Sequence, residues 1–257
     1  MVPSRMLLLK LALSPTLILI ASLAARRWGV LVAGWIAGFP LTSGPVSIFL
    51  AVEQSPAFAR TAAGATLVGV IAMTAFCFAY ARLAPRHGIV LSLSVAIAIL
   101  LVATAALLAL APSLPATLAL LLATTLGSLA AIPRKALDAP SGDPLWWDIP
   151  ARMAVAVGLV VGLTEFAQLL GPELSGLISP IPIFASVLAV FTHRHDGGDA
   201  AAELLRGVIL GSFSFSAFFL VVALGLERLG LVEAYVLATL TAMVVNGATL
   251  ALSRRRA

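Results

Sequence analysis

The chain has 257 residues, of which 61% are hydrophobic and 11% charged, with a mean hydropathy of +1.10. A water-soluble domain carries about a quarter of its residues charged, so these proportions exclude one and point to an integral protein of the lipid bilayer. The formal charge of +5 does not indicate a nucleic-acid partner, because the arginines are scattered between apolar runs without aromatic residues placed for stacking. The single cysteine, Cys77, excludes an internal disulfide and a cysteine-built metal cluster.

Nine apolar segments follow in chain order, near 6–24, 30–52, 61–82, 88–111, 115–132, 151–170, 173–192, 203–226 and 231–253. Each is expected to be helical, since hydrocarbon offers backbone groups no partner outside their own helix and no segment alternates as a barrel strand does. The fifth is short, but its only polar residues are Ser and Thr, so it too is expected to cross. Arg5, the apolar run behind it and the small residues of 21–25 imitate a cleavable leader, an interpretation set aside for the following reason.

Sliding the sequence along itself by 142 residues brings Gly29 onto Gly171, Gly34 onto Gly176, Pro40 onto Pro182, Gly69 onto Gly211, Phe76 onto Phe218, Arg86 onto Arg228 and Gly88 onto Gly230. Coincidences of Ala and Leu mean little in so biased a composition, whereas Gly, Pro and Arg are rarer. The first segment therefore answers to the sixth and belongs to the fold. The expected architecture is an all-α polytopic membrane protein of about nine transmembrane helices. A four-helix repeat at 1–112 and another at 152–257 flank a linker, 113–151, holding one crossing and a cytoplasmic loop.

One crossing in the linker starts the two units on opposite sides, which makes them inverted repeats. With nine crossings, one side holds Arg26, Arg27, Arg82, Arg86, Arg134, Lys135, Arg152, Arg194, Arg206, Arg254, Arg255 and Arg256, and the other only Arg5, Lys10, Arg60 and Arg228. The positive-inside rule makes the rich side cytoplasmic, with the N-terminus outside and the C-terminus inside. Trp28, Trp146 and Trp147 fall near predicted cytoplasmic ends, where interfacial tryptophans sit.

The stretches Ala33-Gly34-Trp35-Ile36-Ala37-Gly38-Phe39-Pro40 and Ser175-Gly176-Leu177-Ile178-Ser179-Pro180-Ile181-Pro182 each resemble the second helix of the GlpM family of small bacterial inner-membrane proteins. Family members look like single four-helix units, so the chain resembles two fused in tandem over 10–112 and 152–254. The first unit departs by its added Thr42-Ser43-Gly44-Pro45, while the second keeps an aromatic, Phe184, two residues after its proline. The resemblance implies a bacterial inner (plasma) membrane location and no particular reaction. Single-unit relatives would have to pair to build an equivalent body, so a homodimer is a further expectation.

Chemistry has to come from residues that burial in lipid makes expensive. Gly38, Pro40, Gly44 and Pro45 interrupt the second segment near its middle, and Gly176, Pro180 and Pro182 the seventh. Proline removes a backbone donor and frees a carbonyl one turn earlier, and paired interruptions in inverted halves point to a transporter's substrate site. Thr42 and Ser43 beside one break, and Ser179 beside the other, offer neutral hydrogen bonds to a small polar substrate. Simple kinks, and hydroxyls bonded to their own helix, explain the same residues without a ligand.

Ionisable and other strongly polar groups at membrane depth are candidates for coupling or gating. Glu165 in the sixth segment could carry a coupling proton, Lys10 in the first could pair with it or snorkel to the surface, Glu53 could guard an outer entrance, and Asn246 faces the inner half of the last helix. His193, His195, Asp196 and Asp199 could hold a metal only loosely. Their Gly197-Gly198 hinge reads as a flexible solvated turn, so no metal and no cofactor is expected.

Two functions stay open on these grounds. One is a secondary transporter or exporter of an unidentified small molecule, working by alternating access between the repeats. The other is a non-transporting structural or accessory membrane protein whose glycines and prolines let helices pack. A membrane enzyme is not expected, because no nucleophile and base, and no acid and base, converge on a common face.

Overall fold

The computed structural model describes residues 16, 18–41, 43–133, 149–155, 157–158 and 182–255. All regular structure among them is helical. Residues 18–28 form a helix that ends at Gly29, whose φ of 89° interrupts the chain before α1, Val30–Ala37. There follow α2 (Ser43–Glu53), α3 (Pro56–Leu83), α4 (Ile89–Leu110), α5 (Leu114–Ala131), α6 (Ile183–Asp196), α7 (Gly198–Leu229) and α8 (Leu231–Arg255).

Five of these, α3, α4, α5, α7 and α8, are long and apolar enough to cross a bilayer, which makes the chain a multi-pass membrane protein. The short fifth segment is one of them. The segment expected at 30–52 is instead two short helices, α1 and α2, of about 12 and 16 Å, against a hydrocarbon core of about 30 Å. Much of the first, sixth and seventh expected segments lies outside the described residues.

The 32-residue α7 is about 48 Å long and forms the centre, packed by α1, α3, α6 and α8. Its charges sit at the ends: Asp199, Glu203 and Arg206 in the first turns, Glu227 and Arg228 in the last. The uncharged stretch between them, 207–226, matches the hydrocarbon thickness. The outer helices α4 and α5 pack on α3. They bury Ser92, Ala96 and Thr104 on α4 and Thr117, Thr125 and Ser128 on α5, beside Leu100, Leu107 and Leu121, and turn many large apolar side chains outward. Val90 is 79% exposed and Leu110 71%. Apolar outer faces and hydroxylated or small residues at the contacts are expected where lipid removes any hydrophobic drive between helices.

Two helix starts recur at the offset seen in the sequence. Pro56 opens α3 where Gly198 opens α7, and Ile89 opens α4 where Leu231 opens α8, each pair 142 residues apart. Helices α3 and α7 pack together and run antiparallel. Arg60 near the start of α3 pairs with Glu227 near the end of α7 at 3.2 Å, while the carbonyl of Ala84, just past α3, abuts Gly198 at the start of α7. The C-terminal end of α5 reaches the same rim, where Arg82 and Arg206 donate to its last carbonyls. Arg82, Arg86 and Arg206 therefore share one rim, and Arg60 and Arg228 the opposite one.

A broken helix at mid-depth as the candidate site

The helix that begins at Val30 stops because its hydrogen-bond ladder runs out of partners. Gly38 N still donates to Gly34 O at 2.9 Å, but Phe39 N tightens onto Ile36 O at 3.0 Å, Pro40 has no N–H to give, and Leu41 N turns to Phe39 O at 2.8 Å. The ladder resumes in α2, where Gly44 N donates to Pro40 O at 3.0 Å. Pro45 is the third residue of α2, within the first turn, where a missing donor costs no intrahelical bond.

The break lies against the middle of α7. A Cβ on Gly38 would stand 2.7 Å from the Cα of Gly211 and from the carbonyl of Val208, and one on Gly44 would touch the Phe218 ring at 3.4 Å. Gly38, Pro40 and Gly44 are buried, and Ser43 and Pro45 half-buried. The approach of α1 to α7 is backbone on backbone. Gly34 faces the carbonyl of Leu204, and Gly207 faces the carbonyl of Leu31, so a Gly-x-x-x-Gly pair on α1 meets another, Gly207 and Gly211, on α7. Sequence reading missed Gly207, although the spacing of four residues on both segments carried the signal.

Polar contacts gather around this crossing. Ser214 donates to Gly211 O at 2.7 Å and lies 3.1 Å from Asn246 Oδ1 on α8. Trp35 Nε1 donates to Thr249 Oγ1 at 3.2 Å, and Thr249 donates onward to Asn246 O at 2.9 Å. Toward the other rim Ser47 and Tyr235 share a hydrogen bond of 2.7 Å. Asn246, expected as a coupling or gating group, is thus placed as a strut between α8 and α7. Ser212 bonds its own helix. Buried Ser216 and the residue 142 positions before it, Thr74, have hydroxyls with no hydrogen-bond partner among the described residues.

Pro182 caps the start of α6, and its carbonyl accepts from both the backbone and the hydroxyl of Ser186 at 2.8 and 2.9 Å. Thr42, Gly176, Ser179, Pro180, Glu165 and Lys10 lie outside the described residues, as does the side chain of Glu53, the last residue of α2. The structure therefore sets Gly38 and Gly44 against α7, with Asn246 joined to the same helix through Ser214.

The loop expected to be a flexible turn is a tight one. Gly197 alone separates α6 from α7 with φ of 89°, a left-handed conformation that favours glycine, and Gly198 leaves room for the Ala84 carbonyl. The two histidines before it are engaged separately. His193 Nδ1 lies 3.2 Å from the hydroxyl of buried Tyr80, while His195 stacks on Phe191 with ring centroids 6.4 Å apart. Burial lowers the His193 pKa. Among the described residues no three His, Cys, Asp or Glu side chains are grouped to hold a metal.

The chain matches no family model, no curated protein and no solved structure. Its site can be interpreted only through its own geometry.

Proposed function

We propose that the chain is a secondary transporter or exporter of a small molecule, built from two inverted four-helix repeats, 1–112 and 152–257, joined by the linker 113–151. The observation that carries this reading is the antiparallel packing of α3 and α7, equivalent in sequence and set start against end, with a broken helix lying on the middle of α7. Discontinuous helices at the midplane of paired repeats expose backbone where a polar substrate can bind. The 38–45 break and its counterpart at 176–182 would form the site, Glu165 would carry a coupling proton, and Lys10, Glu53 and Asn246 would serve in gating.

In this reading the arginine-rich rim is cytoplasmic, the N-terminus lies outside, and the location is a bacterial inner membrane, in keeping with two GlpM-like units in tandem. The chain acts without a cofactor and catalyses no reaction. A second reading, a structural or accessory membrane protein, draws support from the glycine-on-glycine crossing, which serves packing as directly as it serves movement.

Flux measurements on reconstituted protein separate the two. Pro40→Ala and Pro182→Ala are expected to impair uptake or efflux while inserting normally, and Glu165→Gln to remove its pH dependence. Variants that fail to fold would favour packing, and unaltered flux in Glu165→Gln would end its coupling role. Reporter fusions after 113, 140 and 257 are expected to read outside, inside and inside. Agreement between the first two would remove the inversion.

A further inference from the structure

The arginine-rich rim carries a cavity apart from the broken helix. It has a volume of about 220 Å³ and lies between the end of α3, the end of α5 and the start of α7. Arg82 and Arg86 line it from the α3 side, Ile132, Pro133 and Ala202 give it apolar walls, and Asp199 and Glu203 border it from α7.

These charged groups are not equally available to a ligand. Asp199 and Glu203 already have interaction partners of their own. Arg206, one turn further into α7, is buried and donates to the carbonyls of Leu129 and Ile132 at 2.7 Å each. Arg82 makes a single long contact, to Ala131 O at 3.3 Å, which leaves most of its N–H groups open. Arg86, exposed in the turn that follows α3, has no side-chain partner among the described residues. The cavity therefore presents two open guanidiniums and engaged carboxylates.

An anion is what such a wall selects. The guanidinium fork matches phosphate oxygens bidentately, and the apolar walls suit a ligand whose phosphate is followed by hydrocarbon. The depth is that of lipid headgroups, since Arg82 and Arg86 stand level with the charges that bound the uncharged stretch 207–226. Basic pockets between transmembrane helices on the cytoplasmic side hold anionic headgroups in this way. A choline headgroup would instead bring a fixed cation toward the arginines while the neighbouring carboxylates are engaged.

We propose that this cavity binds the phosphodiester headgroup of an anionic glycerophospholipid, with Arg86 as the principal contact and Arg82 as the second. The site stands apart from the 38–45 break and does not depend on the transport reading.

The test is lipid retention by native mass spectrometry, with the full chain released from nanodiscs of equal parts phosphatidylglycerol and phosphatidylcholine. Phosphatidylglycerol is expected to be retained at least about tenfold over phosphatidylcholine, and Arg86→Gln to bring the two near equality, the effect of losing a charge-assisted hydrogen bond. Arg194→Gln removes the same charge from the same rim, in the last turn of α6 and outside the cavity, and is expected to keep the preference. Both arginines are exposed, and unchanged thermal unfolding of the variants shows that the fold is intact. Excess glycerol phosphate should leave the lipid in place, whereas displacement would assign the cavity to a soluble phosphate ester and overturn the lipid assignment. Equal retention of both lipids by the wild type would also overturn the proposal, as would a preference unchanged in Arg86→Gln. An equal loss in Arg194→Gln would do the same, by making the effect one of rim charge alone.

Discussion

Nε of Arg60 lies 3.2 Å from Oε1 of Glu227, which sets the first turns of α3 against the last turn of α7. Both side chains are nearly half exposed, so the ion pair itself adds less than about 1 kcal/mol, and its value is as a marker of direction. In a Cys77→Ala background, Arg60→Cys with Glu227→Cys should be joined by a short bifunctional thiol reagent. Arg60→Cys with Glu203→Cys should not, because 24 residues of α7 separate the two positions by about 36 Å. Linkage of the second pair would mean that the helices run parallel.

The crossing of α1 and α7 predicts a sharp difference between glycines. Gly207→Val would drive carbon into the Leu31 carbonyl and is expected to cost about 1–3 kcal/mol or to prevent assembly. Gly64→Ala, within α3 with nothing within 4 Å of the added carbon, is expected to be neutral or to stabilise by up to about 1 kcal/mol. Thermal unfolding in detergent compares them, and equal midpoints would contradict the close contact.

Arg206 closes the C-terminal end of α5, where carbonyls have no intrahelical donor. Replacing it with Met leaves the Leu129 and Ile132 carbonyls unpaired and should destabilise the protein by roughly 2–3 kcal/mol. Increased proteolysis confined to the 114–133 region would be the accompanying sign, and wild-type stability would show that the two bonds are dispensable.

His193 predicts a direction with pH. Its folded pKa is lowered from 6.5 by burial, so the stability it contributes is fully present above 6.5 and is lost as pH falls through the folded value. A pH series of melting temperatures should therefore fall faster on the acid side in the wild type than in His193→Phe, which keeps a ring against Tyr80 but cannot be protonated. Parallel curves would place the acid sensitivity elsewhere.

How much of this was legible beforehand differs by level. The break at Gly38 and Pro40 was readable because proline's missing donor acts on its own turn, wherever that turn is packed. A fifth helix long and apolar enough to cross was readable because its residues form one uncharged apolar run. The 142-residue offset already matched Gly88 with Gly230, and these residues precede α4 and α8 in the fold. Conversely, the interrupted segment expected to cross over 30–52 is two separate short helices, and the turn expected at Gly197 is a single residue. Apolar composition does not reveal where two half-helices are too short to cross, and a Gly-Gly pair looks alike whether it is loose or pressed against a carbonyl.

Composition and local backbone chemistry by themselves determined that this is a helical membrane protein, where its long apolar helices lie and where one of them breaks. Each of those follows from a cost paid within a few residues. Only the tertiary structure decided that α3 and α7 pack on each other, that Gly34 and Gly38 meet Gly207 and Gly211, that Asn246 reaches Ser214, and that Arg206 serves the end of α5. Between helices in lipid there is no hydrophobic gradient to mark the contacting face, so partnership is settled by which small residues let backbones approach and which few polar groups then find each other.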